Sequence, residues 1–169
     1  MAIRDKNKRG FALIVSVIFM SVMLTLGLAL SSLGYKQTML ASSSIESQYA
    51  FYVADAALEC ALYADQQENL FDYTTHSSDP VNPSNIIMCD NTPATQLSYS
   101  YDSTRLAIVE RLSLDSNKHC ADVTIYKYAN PQPSGATTYI FSQGYNTSCG
   151  TVETPNGARF VSRGESSVY

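Results

Sequence analysis

From Gly10 through Tyr35 the chain reads GFALIVSVIFMSVMLTLGLALSSLGY, 26 positions with no charged residue and no proline. At 1.5 Å per residue they make a helix of about 39 Å, against a hydrocarbon core of about 30 Å. A core helix of a soluble protein would show a polar face, and here only scattered Ser and Thr interrupt the apolar run. The pattern predicts a membrane-inserting helix. The helical signal does not stop there. Lys36–Glu68 contains neither glycine nor proline, and Ile45, Tyr49, Tyr52, Val53, Ala56, Cys60 and Tyr63 recur at steps of three and four, as one face of a helix does. Glu46, Asp55, Glu59 and Asp65 fall mostly away from that stripe. One helix is therefore expected from about Phe11 to Glu68, roughly 87 Å long, apolar all round in its first half (11–35) and amphipathic in its second.

After Glu68 the texture changes. Residues 69–95 hold Pro80, Pro83 and Pro93 among Asn, Ser, Thr and Asp, which predicts a long loop. Alternating runs then predict antiparallel strands at Leu97–Tyr101, Arg105–Leu114, Ala121–Tyr128, Thr137–Gln143 and Ala158–Ser166. Turns such as Asn130-Pro131-Gln132-Pro133-Ser134-Gly135 and Pro155-Asn156-Gly157 separate them. The expected fold is α+β: a long N-terminal helix, with a β-rich head over 69–169 wrapped on its amphipathic half.

Composition narrows the function. The chain has 169 residues, enough for one domain and an appendage. Acids outnumber Lys plus Arg by 15 to 11, so direct nucleic-acid binding is not expected. The charge is unevenly spread. Residues 1–10 carry Arg4, Lys6, Lys8 and Arg9 against Asp5 alone, so an acidic body follows a basic tip. Cations beside an apolar helix place the N-terminus in the cytoplasm and the rest beyond the membrane. A secretory signal peptide has an apolar region of about 7–15 residues, so this run is too long for one, although Ala29-Leu30-Ser31 has the small residues of a cleavage site. A plain single-pass anchor fits the hydropathy but has no need of the helical continuation.

The leader ending in Lys8-Arg9-Gly10, followed by Phe11-Ala12-Leu13-Ile14-Val15, resembles a type IV prepilin. The segment Tyr49-Ala50-Phe51-Tyr52-Val53-Ala54-Asp55-Ala56-Ala57-Leu58-Glu59 is similar to the N-terminal region of PilX-type minor pilins. The resemblance covers roughly residues 6–64. It implies a type IV pilin-like fold, a prepilin peptidase that cuts between Gly10 and Phe11, and N-methylation of Phe11. It also implies a filament core built from side chains such as Phe11, Ile14, Val15, Ile18, Leu24 and Leu28. The implied partners are copies of the chain and other pilin subunits, the peptidase, a pilus assembly platform, and membrane lipid before assembly. The precursor would sit in the inner (cytoplasmic) membrane and the assembled subunit in an extracellular filament. The chain departs from the family at Val15, where a glutamate usually neutralises the new amine of a neighbouring subunit. An unpaired buried ammonium costs several kcal/mol, which points either to a tip or priming position or to filaments that manage without the pair. Gly27 and Gly34, in place of the family's frequent proline, are the weak points of the apolar helix.

Four cysteines, Cys60, Cys89, Cys120 and Cys149, suit an exported domain. Of three possible connectivities, Cys60–Cys89 and Cys120–Cys149 are favoured, one tying the loop to the helix and one clamping strands. No CxxC or His-rich spacing indicates zinc, and calcium stays open through loop carboxylates such as Asp79 or Asp90, although no ligand spacing supports it. Motifs for catalysis are absent, and no cofactor is expected. His76 and His119 read as loop histidines, and Asp55 with Glu59 as a solvated or intersubunit face. Asn146-Thr147-Ser148 matches a glycosylation sequon. The expected function is that of a structural, non-enzymatic filament subunit, with loops 69–95 and 129–136 most exposed to partners. A type II secretion pseudopilin is the alternative within the family. Outside it stands a signal-anchored surface domain that binds a ligand without polymerising.

Overall fold

The computed structural model describes residues 8–71, 86–133, 135 and 137–169. His76, Asp79 and most of the loop expected over 69–95 lie outside them. The first element, α1 (Lys8–Gln66), is a single 59-residue helix. It runs unbroken through Gly27 and Gly34, where an added Cβ would meet nothing within 4 Å. The chain divides into two units, Met1–Ser44 and Ile45–Tyr169, so α1 contributes to both.

In the first unit every described side chain from Phe11 to Ser44 is exposed. Six of the hydroxyls there bond to their own helix. The hydroxyls of Ser16, Ser21, Thr25, Ser32 and Ser43 donate to the carbonyl three residues back, and Thr38 donates to Gly34 O. With its main chain paired as helix and these six hydroxyls bonded to it, this stretch offers a bilayer few unmet donors. It is long and apolar enough to cross a membrane.

The second unit is the end of α1 packed on a five-stranded antiparallel meander. Its strands are β3 (Thr95–Tyr101), β4 (Arg105–Leu114), β5 (His119–Tyr128), β6 (Thr138–Tyr145) and β7 (Ser162–Val168), in that spatial order. They follow a two-residue ladder of β1 (Met88–Cys89) and β2 (Thr92–Pro93). Between those two, Asp90 and Asn91 both take positive φ, the backbone of a tight hairpin turn that short polar side chains tolerate. A five-residue helix, α2 (Cys149–Glu153), lies between β6 and β7. Alternation decides which face of the sheet is buried. Leu106, Ile108 and Leu112 of β4, Val123 and Ile125 of β5, and Ile140 of β6 are buried in the core.

Three expectations are corrected. The tyrosine-bearing stripe of α1 does not face the sheet. Val53 is buried and Cys60 half-buried, but Ile45, Tyr49, Tyr52, Ala56 and Tyr63 are exposed, the three tyrosines at 55%, 65% and 62%. The buried face is instead Ala50, Val53, Ala54, Ala57, Leu58, Ala61 and Ala64. The physical reason is distance. At Gly144 of β6 an added Cβ would collide with Ala50 O and Ala54 N, so the helix lies too close to the sheet for large side chains. Second, the ends of the expected long loop belong to the core, since Phe71, Ile87, Cys89 and Ala94 are buried. Third, the last strand starts at Ser162 rather than Ala158. Before it, Val161 N donates to Asn146 Oδ1 at 2.7 Å, Val161 O accepts from Asn146 N at 3.2 Å and Phe160 packs edge-on against Tyr145, so one residue pair and a ring contact hold that segment in place of a regular ladder.

Candidate assembly surface

The backbone of Gly10 and Phe11 lies within the first turns of α1, and no acidic residue occupies its first turn. Phe11, Ile14, Val15, Ile18, Leu24 and Leu28 are all exposed. They cover about half of the helix circumference, and the exposed Phe19, Met20 and Met23 close the rest, so the surface is apolar all round. From Phe11 to Ile45 the only charged side chain is that of Lys36.

A second apolar surface lies on the head. Tyr49, Tyr52, Val53 and Ala56 of α1 meet Leu114 and His119 around a groove of about 480 Å³. The His119 ring stacks on Tyr49 with centroids 6.1 Å apart, and its Nδ1 lies 3.5 Å from Asp115 Oδ2. Asp90 and Asp115, both exposed and both at positive φ in tight turns, also line it.

Three sets of polar side chains stand out in the head. Asp65, in the last turn of α1, is buried, with its Oδ2 2.6 Å from Lys127 Nζ and accepting a hydrogen bond from the Tyr169 hydroxyl. Burial, reinforced by that carboxylate, holds the Tyr169 hydroxyl well above the usual phenol range. On the opposite face of the sheet, Arg111 forks onto Asp122 at 2.6 and 2.8 Å and reaches Glu153 of α2 at 3.3 Å. The Asp122 hydrogen bonds push the guanidinium pKa up. Tyr145 donates to the same Asp122, and burial first and the Asp122 charge second raise its hydroxyl to about 12. The third is Glu110. It is fully buried on β4, accepts from Ile87 N at 3.0 Å through one oxygen, and has no partner for the other among the described residues.

The disulfides join Cys60 to Cys89 (Cα–Cα 6.0 Å) and Cys120 to Cys149 (4.7 Å), the pairs favoured from the sequence. The first fastens the β1–β2 hairpin to α1 and the second fastens α2 to β5. Asp55 is half-buried and Glu59 exposed, and no metal-holding group of His, Cys, Asp or Glu occurs among the described residues. The sequon residue Asn146 is half-buried and holds Val161 through its side-chain oxygen. In loop 129–136, Asn130, Pro131 and Gln132 border a shallow cleft of about 540 Å³ with Tyr128 and Arg105. Asp102 lines the same cleft, its carboxyl held below the usual range by hydrogen bonds from Thr104 and Arg105.

Sequence reasoning passed over Glu110, Lys127, Asp65 and Gly144. A signal existed for two of them. Strand alternation puts Glu110 on the face of Ile108 and Leu112, and Lys127 on the face of Val123 and Ile125. Asp65 near a helix end reads as solvated, and nothing local marks Gly144 as the point of helix contact. No protein-family model, curated protein or solved structure matches this chain.

Proposed function

We propose that the chain is a structural subunit of a type IV pilus-like filament. Prepilin peptidase processes it between Gly10 and Phe11, and it polymerises by packing of its helix without catalysing a reaction. One observation carries the reading. A single helix is exposed and apolar on all sides from Phe11 to Tyr35, yet continues unbroken into a second half that is integral to a disulfide-braced head. A simple membrane anchor needs the first half alone. A subunit that leaves the bilayer for a fibre needs both, because lipid first covers the apolar surface and neighbouring helices cover it afterwards. The monomer is held in the cytoplasmic membrane with its N-terminus inside, and the acidic head becomes the wall or tip of the extracellular filament. Val15, with no acid in the first turn of α1 to meet the new amine of Phe11, leaves two arrangements, a tip or priming place or a filament that manages without the pair.

The mass of the N-terminal peptide from surface-recovered protein tests this. The expected species begins at Phe11 and carries one extra methyl group. An intact Met1 leaves a membrane anchor, a start near Ser32 leaves a secreted domain, and each overturns the filament reading.

A further inference from the structure

We infer that the groove between Tyr49, Tyr52 and His119 receives the Leu33–Lys36–Leu40 face of α1 from a second copy of the chain. The inference rests on the filament reading and adds which surfaces meet. The groove is apolar at its base, where Val53, Ala56 and Leu114 lie, and two carboxylates, Asp90 and Asp115, stand at it. It therefore suits an apolar rod bearing one cation. Asp115 Oδ2 lies 3.6 Å from Lys118 Nζ and 3.5 Å from His119 Nδ1, both long contacts, and its exposed carboxylate can take another cation. The chain itself carries the complement. Lys36 is the lone charge from Phe11 to Ile45, and Leu33, Lys36 and Leu40 recur at i, i+3 and i+7, so all three project from one side of α1. Leu33 and Leu40 are exposed at 54% and 69%. Seating such a face against aromatic walls is helix-in-groove recognition, and the ion pair sets which turn of the helix enters. With both helices parallel, Lys36 of one copy lies level with Tyr52 of the other, an axial displacement of about 24 Å at the standard rise.

Zero-length carbodiimide cross-linking of intact fibres tests the pairing, since it joins an amine to a carboxylate only where they touch. The expected product is a band at twice the subunit mass whose linked peptide joins Lys36 to Asp90 or Asp115. In a Lys36→Arg variant, fibres persist while that link is lost, because Arg keeps the ion pair but does not form the amide. In Lys36→Glu, incorporation falls by about tenfold or more, because like charges then face each other. Fibres that contain the chain without the Lys36 link overturn the groove assignment alone. A Lys36 link to a different subunit overturns the second copy as occupant. A chain that never enters fibres overturns the filament reading and the occupant with it.

Discussion

Glu110 projects from β4 into the core between Ile108 and Leu112, opposite Val123 on β5 and Gln96 on β3. The face of α1 turned to the core offers Ala57, Ala61 and Ala64, and the other buried carboxylate, Asp65, is paired with the half-buried Lys127. Desolvation pushes the Glu110 carboxyl up to about 7, against an ordinary 4.5, and the Ile87 amide only partly opposes it. Between those two pH values the folded chain holds a proton that the unfolded chain releases. Stability therefore falls as pH rises through the window and stays lower above it, by on the order of 3 kcal/mol. Glu110→Gln should flatten that slope and leave the variant the more stable at pH 8, with little difference at pH 4.5. Denaturant titrations of detergent-solubilised chain at both pH values check it, and an unchanged slope would mean that Glu110 is ionised throughout. The same residue shows what the sequence made legible. The alternation that located β4 to the residue also put an acid among its inward positions, but hydrophobic patterning treats such a position as noise.

At the scale of elements, strand alternation was a sound guide and helical periodicity was not. Strands β3 to β6 lie within two residues of where alternation puts them, because inward and outward positions differ sharply in polarity. Along α1 the large apolar residues and the buried residues are different sets. Tyrosine and isoleucine dominate a periodicity count, whereas the face against the sheet is alanine, chosen for its size. Gly144→Ala tests that geometry. Its methyl group has nowhere to go between β6 and the α1 backbone, so a loss of about 3 kcal/mol or more is expected, read from denaturation midpoints. The polar joint at the end of α1 gives a second test. Lys127→Met strands Asp65 in the core and should cost about 3–5 kcal/mol, whereas adding Asp65→Leu should recover most of it. A loss in the double variant equal to the sum of the two single-variant losses would show that the pair is not coupled.

For the whole molecule, each of the two bonds spans 29 residues of separation, so each restrains the unfolded chain by about 3.6 kcal/mol. Replacing Cys60 and Cys89 together by serine should lower stability by about that amount and expose the β1–β2 hairpin first, as limited proteolysis would show. The matching pair at Cys120 and Cys149 should instead release α2. Cleavage sites shared by both variants would mean that the bonds brace the head globally. Cysteine count and the expected oxidising location pointed to bonds, and the first was expected to tie the loop to the helix, but nothing local marked Cys149 as lying on the short helix α2 where a clamp between strands was expected. The partners of the apolar surface were the least legible feature. An exposed Leu33 or Tyr52 has the same letter whether lipid, water or another subunit covers it.

The alanines at 50, 54, 57, 61 and 64 follow one another at steps of four and three along the buried side of α1. A row of near-identical methyl groups is a smooth rail. Sliding the helix by one turn, about 5.4 Å, puts alanine where alanine was and changes van der Waals packing little. The alanine row by itself therefore specifies the register of helix on sheet poorly. What selects one position is a set of fasteners at fixed points: the Cys60–Cys89 bond, the Asp65–Lys127 pair, and the bulkier Val53 and Leu58. Such a joint resists pulling along the helix axis through a few discrete pins. A tensile load on the helix concentrates at those pins instead of spreading over the packed face.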